Sequence, residues 1–114
     1  MDDLTRRLML FDFYGDLLTD KQREVYDLYY QKDLSLGEIA ELWHVSRASV
    51  YDLLHRTDKT LGKYEKALAL LDGFIKREQI CKSLTDYIKE NIEDIPELFK
   101  AKLEVFISEL MELE

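Results

Sequence analysis

Apolar positions recur along this chain at steps of three and four residues. No stretch alternates with the period of two that a half-buried strand requires, so the pattern predicts an all-α protein. Leu4, Leu8, Phe11 and Tyr14 mark one face of a first helix over roughly residues 3–14, which Gly15 ends. Thr19, followed three residues later by Gln22, forms a capping box. It opens a second helix with Val25, Leu28 and Tyr29 on one side, ending near Lys32-Asp33. Ser35 and Glu38 form the next capping box, and Leu36, Ile39, Ala40 and Trp43 make the inward face of a short helix behind it. His44 falls at a turn that often demands a positive φ, a conformation in which His is enriched among non-glycine residues. Val45 is expected to plug this turn into the core, and Ser46 to cap the following helix. Two capped helix starts across a tight turn, with the small Ala40 where the helices cross, predict a helix-turn-helix over residues 35–56.

From Arg47 the helical pattern runs on. Val50, Leu54, Leu61, Leu68, Leu71 and Ile75 return to one face, with Leu61, Leu68 and Ile75 a heptad apart. A long helix is expected, with Gly73 the best candidate for its kink or break. Phe74 to Asn91 reads as further helix, and Asp94-Ile95-Pro96-Glu97 starts a last one, with proline at its first turn. In it Phe99, Leu103, Phe106 and Leu110 alternate steps of four and three. Leu61, Leu68, Ile75, Phe99, Leu103, Phe106 and Leu110 are therefore the candidate seam of a homodimer, an association that also suits a helix-turn-helix reading paired half-sites. The expected organisation is residues 1–72, holding the N-terminal helices, the head and the start of the long helix, then a helical extension over 73–114.

Composition narrows the function classes. The 114 residues suffice for one domain with an appendage. Four glycines and one proline leave little room for long loops. The apolar runs are too short and too charged for a transmembrane span, and Met1-Asp2-Asp3 lacks the basic start of a signal peptide. A cytoplasmic address is the expectation. Cys81 is the single cysteine, which excludes an internal disulfide and a cysteine zinc site.

The net charge is −8, unevenly spread. Residues 35–66 hold five basic and five acidic side chains, whereas 67–114 hold six basic and eleven acidic. The head is thus the least acidic part of the chain, yet it lacks the basic excess that supplies much of a DNA-binding protein's affinity.

The side chains expected to point outward from the second motif helix are Arg47, Ala48, Ser49, Tyr51, Asp52, His55 and Arg56, with Lys59 and Lys63 further along. Arg47 and Ser49 lie near the helix start, where base edges or phosphates are met, and Arg56, Lys59 and Lys63 are placed for phosphates. Asp52 would repel a phosphate backbone and also forms an i,i+4 pair with Arg56, so the same charges suit a solvated face. Tyr26, Tyr29, Tyr30, Tyr51 and Tyr64 are expected at the core edge with their hydroxyls in water. No nucleophile with its base, phosphate-binding glycine loop or metal-ligand spacing is present, and neither an enzyme nor a cofactor is expected.

At Leu18-Thr19-Asp20-Lys21-Gln22, Leu28-Tyr29-Tyr30, Asp33 to Glu41 and Val45 to Asp52, the chain resembles the YlxM family of small bacterial proteins. Arg56-Thr57-Asp58-Lys59, Leu61 and Tyr64-Glu65-Lys66 extend the resemblance, which covers roughly residues 8–72. It implies a three-helix bundle similar to region 4 of sigma factors. It also implies a regulatory or accessory role in the signal recognition particle pathway, with the particle's GTPase or its RNA as partner and double-stranded DNA as the alternative. His44 stands where the family commonly has glycine, and Ala48-Ser49 where it usually has Gln-Ala. Loss of that glutamine removes a base-reading side chain. A non-enzymatic accessory protein is therefore expected, with a DNA-binding transcriptional regulator and a structural dimerisation module as the competing classes.

Overall fold

The structure, a computed structural model, describes residues 1–113. Among these residues it contains six α-helices and no strand: α1 (Asp3–Tyr14), α2 (Asp20–Tyr26), α3 (Leu36–Trp43), α4 (Arg47–Leu68), α5 (Leu70–Glu90) and α6 (Glu97–Met111). A short 3₁₀ turn, Gly15–Leu17, links α1 to α2, and a turn of π-helix, Asp27–Gln31, extends α2. The chain divides into two compact units, Met1–Leu71 and Asp72–Glu114.

The first unit owes its boundaries to caps written into the sequence. Both capping boxes are present. Thr19 accepts from the Gln22 N–H while its own N–H donates to the Gln22 side chain, and Ser35 and Glu38 do the same. The bond from the Ser35 N–H holds the Glu38 carboxyl below the usual carboxylate range. His44 adopts the left-handed conformation at φ 57°. Its N–H donates to the Glu41 carbonyl (3.3 Å) and the Val45 N–H to the Ala40 carbonyl (3.0 Å), a Schellman closure of α3. Ser46 then caps α4 by accepting from the Ser49 N–H (3.1 Å).

Helices α1 to α4 bury a core of Leu10, Tyr14, Leu18, Val25, Tyr26, Ile39, Ala40, Val50, Leu54 and Leu61. Three expectations are corrected here. On α1 Tyr14 is buried and Leu8 and Phe11 are half-buried, Phe11 stacking on Tyr26 at 5.2 Å between ring centroids, but Leu10 joins the buried side and Leu4, at the start of the helix, is exposed. Val45 does not plug the turn; it is 46 % exposed, because the left-handed step at His44 carries the chain away from the core. Tyr26 is fully buried rather than at the core edge, with its hydroxyl donating to Asp58 (3.0 Å). Burial, with the Asp58 carboxylate alongside, pushes that phenol far above its ordinary range, so it remains a donor. Arg7 reaches the same carboxylate at 3.5 Å.

The expected long helix is also corrected. Gly73 lies inside α5, and the break falls at Ala69, in the left-handed conformation at φ 54°. A helix starting there has orphan N–H groups, and side chains from elsewhere in the first unit satisfy them. The Leu70 N–H donates to the Tyr14 hydroxyl (3.0 Å) and the Leu71 N–H to Glu65 Oε1 (3.0 Å). The Tyr14 hydroxyl donates to that same oxygen (2.7 Å). Glu65 is buried, and its position near the end of α4 makes it the cap of the next helix. Burial and the bond to Glu65 push the Tyr14 phenol above its ordinary value.

In the second unit α5 and α6 bury few side chains. Cys81 and Ile88 are buried on α5, and Ile107 and Met111 of α6 lie across a cleft from Glu78, Cys81, Lys82 and Thr85. Arg77 donates to the Leu113 carbonyl (3.0 Å). No helix among the described residues is long and apolar enough to cross a membrane.

Candidate interaction surface of the helix-turn-helix

The outward side chains of α4 fall where its periodicity puts them. Arg47, Ala48, Ser49, Tyr51, Asp52, His55, Arg56, Lys59 and Lys63 are all exposed. They do not form one patch, and at 100° per residue Arg47 falls on the opposite side of the helix from Ser49 and Arg56. At 100° per residue, Ala48, Tyr51, Asp52, His55, Lys59 and Lys63 lie along one outer stripe. Ser49 and Arg56 lie towards α3 and help to line a groove there.

On the outer stripe Tyr51 and His55 stack, their rings 5.9 Å apart and inclined by 6°. This i,i+4 pair presents an aromatic ledge. Lys59 and Lys63 follow it one and two turns further along. Among the described residues none of Arg47, Arg56, Lys59 and Lys63 forms an ion pair. The expected Asp52–Arg56 salt bridge is absent from these pairs; Arg56 Nε instead donates to the backbone carbonyl of Asp52 (3.4 Å). The start of α4 offers less than a bare helix N-terminus, because Ser46 takes the Ser49 N–H and the Ser46 and Ser49 hydroxyls share a hydrogen bond (2.7 Å).

The groove beside this stripe was not legible from α4 alone. It encloses about 310 Å³ between the first turn of α2, the end of α3 and the first turns of α4. Lys21, Trp43, Val45, Ser49, Leu53 and Arg56 line it, with the buried Val50 beneath. Trp43 is fixed from two sides. Its Nε1 donates to Glu24 (3.1 Å), and Lys21 Nζ lies 4.2 Å from the ring centroid, within cation–π range. The capping box over residues 19–22 places Lys21 on the first turn of α2 and so brings it to a tryptophan twenty-two residues away. The sequence carried no signal for the groove, since Val45, which lines it, read as a core plug.

The candidate dimer seam is scattered. Leu61 has no exposed surface, while Leu68 is 54 % exposed at the last residue of α4 and Ile75 is half-buried on α5. The heptad these three form in the sequence therefore does not lie on one helix. On α6, Phe99, Phe106 and Leu110 are exposed and Leu103 is half-buried. No group of three or more His, Cys, Asp or Glu among the described residues is arranged to hold a metal ion.

Comparison with known proteins agrees with this architecture. Residues 1–101 match the model of the family UPF0122, described as "Putative helix-turn-helix protein, YlxM / p13 like". A UPF0122 protein of Geobacillus sp. (strain WCH70) is 44 % identical over 114 residues, which is all of this chain and 99 % of the relative. One from Thermoanaerobacter sp. (strain X514) is 48 % identical over 96 residues, covering 84 % of this chain and 79 % of the relative. One from Bacillus cereus (strain AH187) is 46 % identical over 104 residues, covering 91 % and 94 %. The match takes in both capped helices, the left-handed turn and all of α4, and on that ground the chain belongs to the UPF0122 family of YlxM/p13-like helix-turn-helix proteins.

Proposed function

We propose that this protein is a non-enzymatic accessory factor of the signal recognition particle, contacting the particle's GTPase or its RNA through the outer stripe of α4. The observation that carries the reading is the Tyr51–His55 ledge beside Lys59 and Lys63, neither of which forms an ion pair among the described residues. Aromatic faces and cations together suit the splayed bases and phosphates of a structured RNA, and equally the mixed surface of a protein. They suit duplex DNA less. Asp52 sits within the stripe, residues 35–66 carry no net charge, and Ala48-Ser49 offer no side chain for bidentate base reading.

The test is a cross-linked pull-down from cells, read for protein and RNA together. The intact chain is expected to recover the GTPase, the RNA or both, and Lys59→Glu with Lys63→Glu to lose them. Recovery of neither by the intact chain overturns the proposal. A DNA-binding regulator is the second reading, supported by Arg47 and Ser49 at the start of the second motif helix. It requires measurable duplex binding at low salt that falls steeply as salt rises and weakens in both Arg47→Ala and Arg56→Ala.

A further inference from the structure

We propose that the groove between α2, α3 and α4 docks a bulky apolar side chain carried on an acidic helical segment of a partner protein. This goes beyond the contact with the particle, because the groove lies beside the outer stripe of α4 and uses residues from three helices.

Its floor and walls are apolar. Val50 and Leu53 lie beneath and to the side, and Trp43 and the 46 % exposed Val45 form the opposite wall. Water in such a groove gains little, and an inserted leucine or phenylalanine displaces it. The volume of about 310 Å³ lies at the small end of ligand sites, a size for one or two side chains. The wall is also positioned before anything binds, since Glu24 and Lys21 contact the Trp43 ring at its edge and its face. A wall already in place spares the partner the cost of ordering it.

The rim fixes the sign of the partner. Lys21 and Arg56 stand at the groove, and among the described residues neither meets a carboxylate in an ion pair. Lys21 rests on an aromatic ring, and Arg56 uses Nε on a backbone carbonyl, leaving its terminal N–H groups for an incoming carboxylate. Lys21 and Arg56 outnumber the Glu24 carboxylate on the Trp43 edge, a local inversion of charge on a unit holding ten basic and thirteen acidic residues. A partner with glutamates flanking an apolar anchor matches both features, as when an amphipathic helix lies in a groove. A nucleic-acid strand matches only the cations, since Lys21 already covers a face of the ring on which a base would stack.

Trp43 is the chain's single tryptophan and lines the groove, so it reports on occupancy directly. The experiment titrates the full chain with a synthetic helical peptide bearing leucines at i and i+4 flanked by glutamates, and follows Trp43 emission. A saturable shift is expected. A sister peptide with lysines in place of the glutamates, or the variant Lys21→Glu, is expected to bind at least about tenfold more weakly. Val45→Glu, at an exposed position, is expected to abolish the shift with the circular dichroism melt unchanged. Should Val45→Glu melt early, Lys21→Glu on the surface of α2 carries the test alone.

Equal binding of both peptides, or no response to either, overturns the proposal. So does a Trp43 response confined to an RNA oligonucleotide or to a small apolar dye. Val45→Glu also separates this proposal from the preceding one. A variant that loses the peptide and still captures the particle leaves both standing, and failure of the peptide alone removes only the groove.

Discussion

The two halves of this chain solve the same problem differently. Helices α1 to α4 each turn an apolar face inward and close a core on themselves, with Tyr14, Val25, Tyr26, Ile39 and Leu61 at or near zero exposure. Helices α5 and α6 are as regular, yet among the described residues of the second unit only Cys81 and Ile88 are buried, while Ile80, Tyr87, Leu98, Phe99, Val105 and Phe106 are exposed. A helix pair alone has too few neighbours to cover two apolar faces. The difference teaches that periodicity announces a helix and an apolar face, but not what the face meets. The exposed face of α6, with Phe99 and Phe106 one heptad apart, is the surface we propose for association with a second copy.

The largest effect that sharpens this contrast is in the core. Ile39→Ala or Leu61→Ala is expected to cost ~2–5 kcal/mol, read by denaturant unfolding of the full chain. Phe106→Ala, at 49 % exposure, is expected to stay within about 0.5 kcal/mol for the monomer. Equal losses at both places would break the comparison. Next in size is self-association. Sedimentation of the wild type is expected to show a dimer and that of Phe99→Glu with Phe106→Glu a monomer, with the far-ultraviolet dichroism retained. An intact dimer in the double variant would return the face to solvent.

The junction comes third. Tyr14→Phe removes the donor to Glu65 and the acceptor of the Leu70 N–H, and is expected to cost ~1–3 kcal/mol. Ala69→Gly works in the opposite direction. A left-handed alanine is strained by ~1–2 kcal/mol relative to glycine, so the glycine variant is expected to be more stable by about that strain less its extra unfolded-state entropy. The smallest effect is Glu38. Its folded pKa is held down by the Ser35 N–H, so its contribution is present above about pH 4.3 and is lost as pH falls through the lower folded value. Glu38→Gln is expected to flatten the acid limb of the stability profile slightly, as measured by melts between pH 2 and 6.

The fold of the head was legible because its signals are local. Thr19 with Gln22, Ser35 with Glu38, Ser46, and a non-glycine residue at a left-handed turn each act within a few residues of themselves. The break at Ala69 was not legible, because the groups that stabilise it lie elsewhere. Tyr14 comes from α1, and Glu65 reaches past its own helix end. Gly73 looked the weaker link by propensity, but the ~1 kcal/mol that an interior glycine costs is small enough for a helix to absorb, and Gly73 lies inside α5. The outer stripe of α4 followed from its periodicity. The groove did not, since Lys21 and Trp43 meet only through the packing of α2 on α3 and α4. The heptad of Leu61, Leu68 and Ile75 was misleading for a related reason: identical spacing survives a break that moves its members onto different helices.

The central claim is that the outer stripe of α4 serves the signal recognition particle rather than duplex DNA. Its most direct measurement is a titration of the purified full chain, at low salt, against the particle's RNA, its GTPase and a duplex of random sequence. The account predicts saturable binding to the RNA or the GTPase, weakened by Lys59→Glu with Lys63→Glu, and weaker binding to the duplex. Duplex binding as tight as either particle component, falling steeply with salt and lost in Arg47→Ala, would contradict it.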